Sequence, residues 1–210
     1  MYNTTAATFN PEEFNSSYMP VGINENVTLK EVNVKKSTSN KDFLEIIFEN
    51  DKGQTASMSE WKNEKNQWIK TDEDLQNRDN AQFGRLLSII ECFYPNGIED
   101  TTLNTFAEMI NWVKSKLDPM IATKKALRLK VIYDKRGYTT VSNNGVFVEP
   151  KDVEKSQMKL FKRDLLERPV QADVESTDPL VAAAKEAVAL NTPVTFESVD
   201  HGTNTNDLPF

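Results

Sequence analysis

The sequence predicts a mainly β domain with helical insertions, an α+β fold, carried between a polar lead and an acidic tail. Three observations carry that expectation. Runs such as FLEIIFE and ALRLKVIY alternate with the period of two expected of strands. Two stretches between them repeat apolar residues at helical spacing. With 210 residues and only 38% hydrophobic, the chain has too little apolar surface to pack throughout. No run approaches the roughly eighteen apolar residues of a membrane span, and the start, MYNTTAATFNPEEF, lacks the basic and apolar regions of a secretory signal. A soluble, cytoplasmic protein is therefore expected. The single cysteine, Cys92, excludes an intramolecular disulfide and reads as a buried, inert thiol. Matches to N-x-[ST] at Asn3, Asn15 and Asn26 then read as chance occurrences.

Residues 1–20, rich in Asn, Thr, Ser and Pro, form the expected flexible lead. The first strand is VTLKEVNV, Val27 to Val34, whose apolar parity changes between Leu29 and Val32 as a β-bulge requires. After the loop KKSTSNKD, the run Phe43 to Glu49 puts Leu44, Ile46 and Phe48 on one face and Phe43, Glu45, Ile47 and Glu49 on the other. The turn NDKG leads into QTASMSEW, where Ala56 and Met58 continue the inward face and Thr55, Ser57, Ser59 and Trp61 point away. These three strands make a meander. A charged loop around Asp72 to Asp74 precedes a helix over Asn80 to Tyr94, with Phe83, Leu86, Leu87, Ile90 and Phe93 on its stripe and Pro95 and Gly97 as stops. A second helix, Leu103 to Leu117, carries Phe106, Met109, Ile110, Val113 and Leu117, with Thr102 as N-cap and Pro119 beyond its end. The strand Ala126 to Tyr133 alternates Leu127, Leu129, Val131 and Tyr133 against Arg128, Lys130 and Ile132. DKRG, YTTV, SNNG and VFV supply one or two final strands, and Asp152 to Leu166 reads as a last helix. In the tail, Asp178 and Pro179 open a short helix running to Leu190. The division is thus a lead over 1–20, a domain over 21–168 and an acidic, mostly disordered tail over 169–210.

Three strands, two helices, then further strands match the order of the five-stranded Greek-key barrel called the OB-fold, with both helices between strands 3 and 4. Other small barrels and α+β sheets fit the same string. Charge sharpens the reading. Residues 1–109 hold 10 Lys+Arg against 18 Asp+Glu, residues 110–168 hold 14 against 7, and residues 169–210 hold 1 against 7. A basic segment followed by an acidic tail is expected of nucleic-acid binders with a separate interaction tail, although a solvated lysine-rich surface gives the same count. An OB-fold binds oligonucleotides over strands 2 and 3 and the loops joining strands 1 to 2 and 4 to 5. In those places stand Lys35, Lys36 and Lys41, the outward Phe43 and Trp61 near each end of the surface, Arg128 and Lys130 on strand 4, and Lys135, Arg136 and Tyr138 after it. Aromatics there would stack bases and cations would follow phosphates. Each has a plainer alternative: rings packed under a helix, an ordinary strand tyrosine, lysines that solvate loops.

Catalysis finds few parts. The only histidine, His201, lies in the tail, no glycine-rich phosphate loop occurs, and the run TDED at Thr71 to Asp74 reads as a charged surface loop rather than a metal site. Neither a cofactor nor a metal is expected. The chain ends in Asp207-Leu208-Pro209-Phe210, and with this tip it resembles the single-stranded DNA-binding proteins of bacteria and their phages. The resemblance implies that Asp207, Leu208, Pro209 and Phe210 dock replication or repair proteins, the phenylalanine in an apolar pocket and the acids against basic side chains. It also implies single-stranded DNA as ligand, no enzymatic activity and a possible homo-oligomer. The chain departs from the family in having Thr203 to Asn206 where a run of acids is usual, and in having two helices where the bacterial domain has one. A protein-binding adaptor or phage assembly factor, and an RNA-binding barrel, remain as alternatives.

Overall fold

The computed structural model describes residues 17–169. Most of the lead, the tail, the helix expected at Asp178 to Leu190 and the tip Asp207 to Phe210 lie outside the described residues. Order begins earlier than Val21: Tyr18 bridges to Thr55, and Met19 is fully buried.

Among the described residues six antiparallel strands form the sheet: β1 Gly22–Lys36, β2 Asp42–Glu49, β3 Thr55–Trp61, β4 Leu127–Tyr133, β5 Thr139–Val141 and β6 Val148–Pro150. β1 is the hinge of this architecture. Its second half pairs with β2 from Thr28 to Lys36, while its first half, Gly22 to Val27, pairs with β4. The parity change in its sequence is real: a register shift between Leu29 and Glu31 lies within the pairing with β2, and a second one, between Asn24 and Val27, within the pairing with β4. β5 and β6 share the far edge of β4, so the order runs β3-β2-β1-β4-β5 with β6 beside β4. Thr140 Oγ1 donates to the Ser57 carbonyl at 3.1 Å, bringing β5 to β3, but no backbone ladder joins these strands among the described residues and the sheet is open there.

Leu44, Ile46 and Phe48 of β2, together with Leu29 and Val32 of β1 and Ala56 and Met58 of β3, fill the inner face as their alternation requires. Two helices cover them, α1 Asp72–Glu91 through Leu86, Ile89 and Ile90, and α2 Phe106–Ile121 through Met109, Ile110, Val113 and Leu117. Burying each such side chain contributes about 1.5–3 kcal/mol. The run Thr71 to Asp74 is not a loop: it is the start of α1, where Thr71 Oγ1 accepts from Asp74 N and the Asp74 carboxylate accepts from Thr71 N, closing a capping box. α2 likewise begins later than Leu103, capped by Thr105, and Pro119 sits inside its last turns.

The helix expected over Asp152 to Leu166 does not form. That segment is an irregular strap tied to β4 and to its own turns. Tyr133 N donates to the Leu165 carbonyl, Gln157 N to Glu149 Oε2, and Phe161 N to Asp164 Oδ2. Its anchor is Lys130, fully buried, whose ammonium donates to the carbonyls of Asn144 (2.6 Å) and Lys159 (3.0 Å) and to Asp164 (3.3 Å). Satisfying a buried ammonium took precedence over local helix propensity. Gly145, at φ +59, lies so close to the Phe161 ring that a Cβ would stand 2.8 Å from it. Only glycine fits this contact between loop and strap.

Candidate nucleic-acid interface

On the outer face of the meander, strand pairing sets Lys35 opposite Phe43 and Phe43 opposite Trp61, so three strands contribute one row of side chains. Phe43 and Trp61 do not stand near opposite ends of the face. They stack directly, ring centroids 4.3 Å apart and planes 15° from parallel, with Trp61 43% exposed. Phe43, half-buried between Lys35 and Trp61, backs the exposed Trp61 ring, which is the one that can meet a further π system. A groove of about 460 Å³ adjoins Trp61, bordered by Lys41, Lys62, Glu64 and the N-cap end of α2 at Thr105 and Phe106.

The loop lysines are exposed but matched. Lys35 pairs with Glu45, Lys36 with Asp42 at 3.0 Å and Lys41 with Glu64 at 2.9 Å. The hydrogen bond and charge of Lys41 hold the Glu64 carboxyl below the usual carboxylate range. Arg128 is engaged by Glu25 and Glu149. Lys130 is removed from the surface altogether, because β4 is covered on its second face by the strap, which alternation within one strand does not reveal. Lys135, Arg136 and Tyr138 stand exposed around the β4–β5 turn, and Tyr138 is 64% exposed. Asp134 Oδ1 shapes that turn by accepting from Arg136 N and Tyr138 N.

A second groove, of about 390 Å³, runs between β3, the β4–β5 turn and the strap. Ser59, on the same outward stripe of β3 as Trp61, lines it together with Arg85, Lys135, Asn143 and Arg163. Glu60 also faces it but is held by a bidentate Arg85 (2.8 and 2.9 Å from Nη2) and by Gln82 (2.7 Å). Arg163 is not marked as a groove cation by the sequence, whose pattern predicts a helix over the strap. Trp68 is 79% exposed between Lys65 and Lys70, and an aromatic among lysines in a loop is a signal that the sequence does carry. The docking tip, Asp207 to Phe210, lies outside the described residues. Cys92 is buried, its thiol pushed up to about 12 by desolvation while it donates to the Ser88 carbonyl. Among the described residues no helix is long and apolar enough to cross a membrane.

No family model matches the chain, and no curated protein matches it.

Proposed function

We propose that the protein is a non-catalytic single-stranded DNA-binding protein with an OB-like barrel path, which coats exposed strands during DNA replication and recombination. On this reading the strand lies across the outer face of β1, β2 and β3, bases stack on Phe43 and Trp61, and cations around the face neutralise phosphates. The tip Asp207-Leu208-Pro209-Phe210 recruits replication or repair proteins, as in the bacterial and phage family that the chain resembles. The observation that carries the reading is the Phe43–Trp61 stack on the outer face of the meander, with Trp61 exposed, an aromatic pair in place of the polar residues expected on the water side of a sheet. Base stacking on such platforms contributes about 1–3 kcal/mol per base and tolerates any sequence.

Titration of intrinsic tryptophan fluorescence with a single-stranded oligonucleotide tests it. Quenching that Trp61→Phe diminishes and Trp112→Phe leaves intact is expected; no quenching at low salt would sink the proposal. A protein-binding adaptor is favoured by one observation only, the strap residues Leu160, Phe161, Leu165 and Leu166, each 37–45% exposed. It predicts no DNA binding at any salt concentration.

A further inference from the structure

We infer that the phosphate backbone of the bound strand runs through the groove between β3, the β4–β5 turn and the strap, and that Lys135 and Arg163 hold it there in place of the lysines of the β1–β2 loop. This rests on the single-strand reading above and names the site within it that meets the phosphates.

The argument starts from which cations have partners. Lys35, Lys36 and Lys41 each lie within ion-pair distance of a carboxylate, and a phosphate reaching any of them must first displace Glu45, Asp42 or Glu64. Such an exchange trades one anion for another and yields little net release of counterions. Lys135 and Arg163 have no carboxylate within 4.0 Å among the described residues. Both are exposed and both line the groove. The groove's two carboxylates are already engaged: Glu60 by Arg85 and Gln82, and Asp134 by the amides of its turn. With Glu60 matched by Arg85, the groove keeps Lys135 and Arg163 against the single Asp134 carboxylate, so an arriving anion meets a net positive charge, with the exposed Asn143 amide as an added donor.

Position supports the same path. Ser59 is both a wall of this groove and the outward residue two places before Trp61 on β3, so a backbone in the groove delivers its bases toward the stacked rings. Arg163 is set there by its neighbour. Asp164 is clamped by Lys130, by Asn144 Nδ2 at 2.7 Å and by Phe161 N at 2.7 Å, which fixes the strap one residue away, and the Phe161 ring lies 5.3 Å from the Arg163 guanidinium. Lys130, one of the cations that the sequence places against DNA, acts as a positioning residue for Arg163.

The test is the salt dependence of oligo(dT) binding by the full chain. Each single-strand phosphate contact contributes roughly 0.7 to the slope of log K against log salt. The double variant K135A/R163A is expected to reduce the slope by about 1.4, R163K to keep it, and K35A/K36A/K41A to leave it near wild type. All are surface substitutions, and retained quenching of Trp61 at low salt would report an intact platform. A slope lost in the triple lysine variant and kept in K135A/R163A would overturn the inference while leaving single-strand binding in place. Wild-type protein that fails to bind at low salt would overturn both.

Discussion

At the residue scale, the Phe43–Trp61 pair and the Lys130–Asp164 pair make opposite demands on burial. The aromatic pair stands on the outer face of the sheet with Trp61 exposed and Phe43 half-buried, where it gains less from water exclusion than a core pair does. Phe43→Ala and Trp61→Ala are each expected to weaken single-strand binding by about 1–3 kcal/mol. Their effects should not add, because each ring supports the other's orientation; a double-mutant cycle on the dissociation constants checks this. Lys130→Met would leave the Asp164 carboxylate enclosed without its ammonium and should lower stability by about 3–5 kcal/mol in urea unfolding. A loss below about 1 kcal/mol would show that the three hydrogen bonds to Asp164 suffice without the charge. Cys92, held as a thiol by burial, should not react with a thiol reagent near pH 8 until the protein unfolds.

At the element scale, the strap is the part whose structure depends most on charge. Burial alone would raise the Asp164 carboxyl, but hydrogen bonds from Phe161 N and Asn144 and the Lys130 ammonium outweigh it, so its folded pKa lies below the ordinary value of 3.8. A depressed carboxyl contributes stability above its unfolded pKa and loses it as pH falls through the folded one. Strap release should therefore begin below pH 3.8, seen as faster amide exchange at Phe161, whose N–H donates to Asp164, and at Tyr133, whose N–H donates to the strap carbonyl of Leu165. Exchange unchanged down to acid unfolding would contradict the clasp. The same element shows where sequence ran out. Alternation located β2, β3 and β4, and the bulge in β1 was visible as a break in parity. The start of α1 was not, because its first turn is all charge and carries no apolar period; only the pattern Thr71-x-x-Asp74 marked it. The strap's apolar residues fall near helical spacing, yet the buried Lys130 takes its Lys159 carbonyl and its Asp164 carboxylate, a long-range demand with no local signature.

At the scale of the whole molecule, charge and shape pull the reading together. The basic stretch 110–168 does not form a basic body by itself, because residues 21–168 hold 24 Lys+Arg against 23 Asp+Glu, and affinity must come from where unmatched cations sit rather than from net charge. The aromatic row was legible in the sequence as outward positions of two strands, but its register was not, since pairing depends on turn geometry across NDKG. The loop lysines were legible as cations, but their partners, Glu45, Asp42 and Glu64, could be assigned only in three dimensions. The central claim is preference for a single strand, and the most direct measurement is fluorescence anisotropy of a labelled oligonucleotide, single-stranded or in a matched duplex, titrated with the full chain at low and moderate salt. A platform of stacked rings requires unpaired bases. At least tenfold (~1.4 kcal/mol) tighter binding to the single strand is expected; equal affinity for the duplex, or no binding to either, would rule out stacking of unpaired bases on these rings.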